Sequence, residues 1–220
     1  MEPPKLNLQR SRTRKQLFLS VVLALTVLTL PIGAKAAEVF HFQGAGASAS
    51  FFSVDSSNCI STSVFVQFGE LSTKNPPNPG QQVSIAAVFI SQYDFCTGVQ
   101  LISVSTQGDF PLPNNAGQVE QHLNSASLNA TIQAFDYLNN LPVDVDVHLN
   151  WTSTSDPPFR NNRHFHFQSP GVIFNSHSRS TSRAAGVSGT VSLGGANLAI
   201  SPEAVQVESA MSGEVRIDHR

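Results

Sequence analysis

The sequence predicts an all-β fold: an antiparallel two-sheet sandwich or jelly-roll-like domain with little or no helix. Three observations carry this. Apolar and polar residues alternate at period two over several short runs, the period of a β-strand. Clusters of Pro, Asn and Gly separate those runs at short intervals, with no helical stretch between them. Only 13% of the residues are charged, so the solvent faces of strands rich in β-branched residues and Phe must be built from Ser, Thr, Asn and Gln.

The segments follow in chain order. SVFVQFGE (63–70) and QVSIAAVFIS (82–91) carry little polarity and read as strands with apolar residues on both faces. VQLISVSTQ (99–107) alternates more loosely. LNATIQAFDY (128–137) sets Leu128, Ala130, Ile132 and Ala134 on one face. VDVDVHLNW (143–151) is the cleanest case: Val143, Val145, Val147, Leu149 and Trp151 face one way, and Asp144, Asp146, His148 and Asn150 the other. RHFHFQSPGVIFNSHSR (163–179) reads as a hairpin, and AAGVSGTVSL (184–193) and AMSGEVRID (210–218) complete the set. QVEQHLNSASL (118–128) has room for a helical turn at most. The loops fall at 74–82, 109–118, 152–162 and 192–204. A single domain over 37–220 is the expectation, with 109–118 as the one place for a weak subdivision.

The first 36 residues read as a secretory signal peptide. Lys5, Arg10, Arg12, Arg14 and Lys15 precede an apolar run from Leu17 to Leu30. Ala34-Lys35-Ala36 fits an A-x-A cleavage site. The run is short for a membrane span, which needs about 20 residues. Cleavage leaves seven basic and fourteen acidic residues, which argues against nucleic acid as a partner and against membrane insertion of the mature chain. The charge is uneven: Lys74 is the only basic residue between 37 and 159, and every later one is an arginine at or beyond Arg160.

Cys59 and Cys96 are the only cysteines. In an exported chain such a pair predicts one disulfide, and no Cys-x-x-Cys is present for redox chemistry. Two echoes stand out. Phe40-His41-Phe42-Gln43 recurs as Phe165-His166-Phe167-Gln168, and Tyr93-Asp94-Phe95 resembles Phe135-Asp136-Tyr137. Asp94 and Asp136 read as turn residues closing hairpins.

The hairpin carries the one constellation with possible chemistry. With Pro170-Gly171 as its central turn, Phe167 faces Phe174, His166 faces Asn175 and His164 faces His177. Phe165, Phe167, Val172 and Phe174 then share one side, expected to be the core. His164, His166, Asn175, His177 and Arg179 share the other. Two imidazoles about 6–7 Å apart on one strand, with a third about 5 Å across, suit Zn²⁺ or Cu²⁺ with an open position for water. If the strand 143–151 lies beside the hairpin, Asp146 and His148 join the set. Over three residues, His164-Phe165-His166 resembles the H-x-H zinc pair of α-carbonic anhydrases and the pairs of cupins and copper–zinc superoxide dismutases. The glutamate and glycine spacing of cupins is missing, as is a third ligand placed as in carbonic anhydrase, so no family follows.

No G-x-S-x-G nucleophile site is present, and Asp144 and Asp146 on one strand do not flank a glycosidic bond. Asn129 and Asn150 head glycosylation sequons. Trp151 falls on the apolar side of its strand, which leaves Tyr93 and Tyr137 as the exposed aromatics a sugar would stack on. The expected function is a secreted, extracellular (or periplasmic) non-catalytic binding or structural module with a glycan or surface polymer as its partner. The alternative is a metal protein using His164, His166 and His177 with Asp146 and His148, its cofactor Zn or Cu.

Overall fold

A computed structural model describes residues 38–74, 80–154, 156–198 and 206–219. The expected signal peptide, 1–36, lies outside them. The described chain is antiparallel β throughout, without helix. Its strands are β1 (Glu38–Asp55), β2 (Ile60–Lys74), β3 (Gln81–Asp94), β4 (Val99–Ser105), β5 (Phe110–Pro111), β6 (Gly117–Val119), β7 (Ser125–Asp136), β8 (Leu141–Ser153), β9 (Phe159–Ser169), β10 (Val172–Leu193), β11 (Ala196–Asn197) and β12 (Gln206–His219).

Eight of these pair in a closed circuit. β1 pairs β2, β2 pairs β3, β3 pairs β4, and β4 pairs β7. β7 pairs β8, β8 pairs β10, β10 pairs β12, and β12 returns to β1. The two faces of the expected sandwich are therefore joined at both sides. The seam between β4 and β7 is narrow, with Val104↔Asp136 and Ser105↔Phe135 as its paired residues.

The ring encloses an apolar core, and alternation explains its membership. Ala47, Ala49 and Phe51 of β1, Val64, Val66 and Phe68 of β2, and Ala86, Val88 and Ile90 of β3 point inward. So do Leu128, Ala130, Ile132 and Ala134 of β7, and Val145, Val147, Leu149 and Trp151 of β8, the faces that the sequence pattern sets inward. Trp151, 1% exposed, stacks at a tilt on Phe68 with ring centroids 5.4 Å apart. Its Nε1 donates to the carbonyl of Ser48, 3.1 Å away on β1. The ring thus ties β8 to β1 through the middle of the core, and no buried indole N–H is left unmet.

No helical turn forms within 118–128. β6 runs straight into a tight turn at 121–124, where Leu123 takes positive φ (58°) and buries its side chain, and Leu123 N donates to Glu120 O. Burying one leucine satisfies the segment better than a turn of helix exposed to water.

Three hairpin turns share one design. Asp55, Asp94 and Asp136 each end a strand, and each carboxylate accepts backbone N–H groups two and three residues on. Each turn closes on a residue at positive φ: Cys59 (57°), Gly98 (74°) and Asn140 (55°). The echo between Tyr93-Asp94-Phe95 and Phe135-Asp136-Tyr137 is this shared turn chemistry. Up-and-down connectivity places all three turns at one end of the ring. Hydrogen bonds from the Ser57 hydroxyl and the Asn58 amide bring Asp55 down to about 2, and the Thr97 and Asn139 side chains lower Asp94 and Asp136. Folded values below the unfolded ones mean that the ionised turns add stability above about pH 4, lost as pH falls towards 2. The melting temperature should therefore drop on acidification through that window. Asp55→Asn should flatten the drop, and an acid limb identical in both proteins would refute this.

The Cys59–Cys96 disulfide forms as expected, Cα atoms 5.6 Å apart, between the first and second of these turns. Replacing both by Ala should lower unfolding free energy by about 2–4 kcal/mol, the chain-entropy value for a loop of this size. Denaturant titration of the double variant measures it.

Candidate functional site

β10 is one strand of 22 residues with two halves. Its second half, 185–193, pairs β8 and belongs to the ring. Its first half, 172–182, pairs β9 on that same edge. β1, β2 and β12 extend alongside, so a sheet of β2, β1, β12, β10 and β9 projects beyond the core, at the end opposite the Asp turns.

On this extension the apolar side changes face. Core residues of β1 are odd-numbered (Ala47, Ala49, Phe51), but the next buried residue towards the N-terminus is Phe42. No register shift interrupts β1, so Phe42 lies on the opposite face. It packs with Val215 and Ile217, flanked by Phe40, Leu71, Val172 and Phe174, in a second cluster on the outer face. The change falls at Gly44-Ala45-Gly46, where neither face is fully buried and a Cβ on Gly46 would stand 2.5 Å from the Phe68 carbonyl oxygen.

The hairpin register is the one Pro170-Gly171 predicts: Phe167↔Phe174, His166↔Asn175 and His164↔His177, with Gly171 at φ +86°. The expected burial holds for Val172 and Phe174, which pack on Phe42, Val215 and Ile217, and is corrected for Phe165 and Phe167. Phe165 and Phe167 are 57% and 51% exposed. They lie on the outer face of a strand with β10 as its only described neighbour, where no second layer covers them. The histidine side is the one continuous with the ring's interior, since His177 and Arg179 share the parity of Ala185 and Val191 on β10.

That inner face forms an open groove of about 730 Å³. The ladders arrange its side chains in rows across five strands. One row reads Lys74, His41, Glu214, His177, His164 from β2 to β9. The next reads Ser72, Gln43, Ser212, Arg179, Asn162. His41 Nδ1 stands 3.7 Å from a Glu214 carboxylate oxygen. The His164 and His177 rings stack with centroids 4.1 Å apart. One row further out, His166 Nδ1 and Asn175 Oδ1 share a hydrogen bond of 2.6 Å.

Of the five residues expected as ligands, the structure stacks His164 on His177 and sets His166 one row further out, on Asn175. It does not bring Asp146 or His148 to them. β8 and β9 lie end to end along one edge of β10, with His148 opposite Thr190 and His166 opposite Asn175. Fifteen residues of strand, about 50 Å at 3.3 Å each, separate those positions. Asp146 and His148 also point to the outer face of the ring, where Asp146 accepts a 2.6 Å hydrogen bond from Thr131. Among the described residues no group of three or more His, Cys, Asp or Glu is placed to hold a metal ion.

The sequence reading missed His41, Lys74 and Glu214. The signal for His41 was present in the F-H-F-Q echo, because both copies put their Phe pair on the outer face and their His on the inner one. The signal for Lys74 was its isolation among ten acids between 37 and 159.

No family model and no curated protein matches this chain. Among solved structures, an acetoacetate decarboxylase-like enzyme from Sphingomonas wittichii RW1 aligns at 12% identity and a TM-score of 0.29, covering 87% of this chain and 94% of that one. An AttH protein from Nitrosomonas europaea aligns at 10% identity and 0.26, covering 81% and 52%. The outer membrane protein OprG from Pseudomonas aeruginosa aligns at 12% and 0.17, covering 86% and 99%. Scores this low carry no argument about fold or function.

Proposed function

We propose that this protein is a non-catalytic binding module that works outside the cytoplasm and takes its ligand in the groove between β2 and β9. The observation that carries the reading is the pair of register-aligned polar rows on the inner face of the extension, which line one open groove. The groove volume is in the range typical of ligand sites. The disulfide is consistent with an extracellular or periplasmic location, and the leader-like first 36 residues supply the export route.

The test uses an array of neutral and acidic extracellular polysaccharides. Ser212, exposed in the middle of the groove, is replaced by Trp to fill it. Binding that disappears in Ser212→Trp, with the melt unchanged, supports the groove. Binding that survives puts the site elsewhere.

The metal reading keeps one observation, the stacked imidazoles of His164 and His177. Its test is zinc and copper content together with melting, with and without chelator. Stoichiometric metal and a melt lowered by chelation in the native protein, but not in His177→Ala, would replace the groove reading with a metal site. A metal-free protein with superimposable melts removes it.

A further inference from the structure

We infer that the ligand of the groove is an acidic oligosaccharide, gripped at two separated anionic groups by Lys74 and Arg179 and by hydrogen bonds to its hydroxyls between them. This rests on the groove being the binding site.

Beyond residue 36 acids outnumber bases by two to one, yet the groove runs against that composition. Arg216 lies in the row outside the Lys74 row, and Arg160 in the row inside the Arg179 row. Four of the seven basic residues beyond 36 therefore fall on four successive rows of one face. Glu70 and Glu214 are the acids on the same rows, and Glu214 is already beside His41. The surplus is positive, and it is confined to the inner face.

Spacing decides the kind of anion. From Lys74 on β2 to Arg179 on β10 is three strand steps of about 4.8 Å and one row of about 7 Å at right angles to them, or roughly 16 Å along the diagonal. A single phosphate or carboxylate cannot reach both. The positions between carry Gln43, Ser72 and Ser212, with Asn162 beside Arg179, and the one acid among them, Glu214, stands 3.7 Å from His41. The Ser, Gln and Asn groups donate and accept hydrogen bonds, which suits a ligand dense in hydroxyls and sparse in charge. Duplex nucleic acid presents a charge every 1.7 Å or so, far denser than this groove can neutralise. All four cation positions are accessible, with Lys74 and Arg179 both exposed.

The experiment is calorimetric titration with an oligogalacturonate, a neutral maltooligosaccharide of equal length, and single-stranded oligothymidylate, at low and moderate salt. The native chain is compared with Lys74→Ala, Arg179→Ala, Ser212→Trp and, on the outer face, Arg163→Ala. The expected result is oligogalacturonate binding at least tenfold tighter than the neutral chain and weakened by salt. It should fall tenfold or more in Lys74→Ala and in Arg179→Ala, and stay within twofold in Arg163→Ala. No oligogalacturonate binding at low salt, tighter binding of the oligothymidylate, or indifference to both cation variants would overturn the inference. Neutral sugar binding that Ser212→Trp abolishes would keep the groove and discard the anion. Acidic sugar binding that Ser212→Trp leaves intact would discard both.

Discussion

Trp151→Ala should destabilise this protein by about 3–5 kcal/mol, the range for removing a fully buried aromatic ring. The ring fills the interior against Phe68 and binds the Ser48 carbonyl across the core, so its loss opens a cavity and takes the indole donor from a half-buried carbonyl. Trp151→Phe separates the two effects. It keeps most of the volume and forfeits the hydrogen bond, and should cost about 1–3 kcal/mol. Denaturant unfolding with tryptophan-independent detection, such as far-ultraviolet dichroism, gives both values. A loss below 1 kcal/mol in Trp151→Ala would mean that the ring does not tie β8 to β1.

Gly189→Ala should cost about 3 kcal/mol or more, although it adds a single methyl group. Gly189 lies opposite Leu149 in the β8–β10 ladder and takes φ +128°, a region L side chains rarely enter. A Cβ there would collide with the carbonyl oxygen of His148 and stand 3.0 Å from Leu149 Cα. The neighbour is backbone inside a ladder and cannot swing aside. Gly194→Ala is the control: it also has positive φ (57°) but open space around it, so its cost should be about 1 kcal/mol. Equal losses in the two variants would show that dihedral strain alone matters and the collision does not.

Much of the fold was legible because alternation survives in the strands that face one apolar core. β7 and β8 bury the residues their patterns name, and the Pro-Gly turn sets the hairpin register by itself. What escaped was β1. Its central stretch, Gly44-Ala45-Gly46-Ala47-Ser48-Ala49-Ser50, is built from residues of low strand propensity. Those small residues are what its tightly packed surroundings require, and propensity does not report that. The faces of the hairpin were sorted correctly into Phe and His sides, and Val172 and Phe174 do pack on a buried cluster, but Phe165 and Phe167 at the edge stay exposed. Apolar character marks burial only when a second layer exists, and whether β9 has one is decided by the ring's closure. Asp146 and His148 failed to join the histidines for a related reason. A loop of about ten residues let β8 and β9 lie side by side or end to end, and only the length of β10 chose between them.

The unbroken alternation of β10 has a further consequence, best put as phase. One strand carries both core residues and groove residues, so the identity of each surface depends on counting in twos along it. Inserting one residue between Arg179 and Ala185 would hand the histidines to the outside and the phenylalanines to the groove, with every side chain chemically unchanged. Inserting two would lengthen the strand and leave both surfaces as they are. The protein can therefore vary the distance between its core and its groove only in even steps.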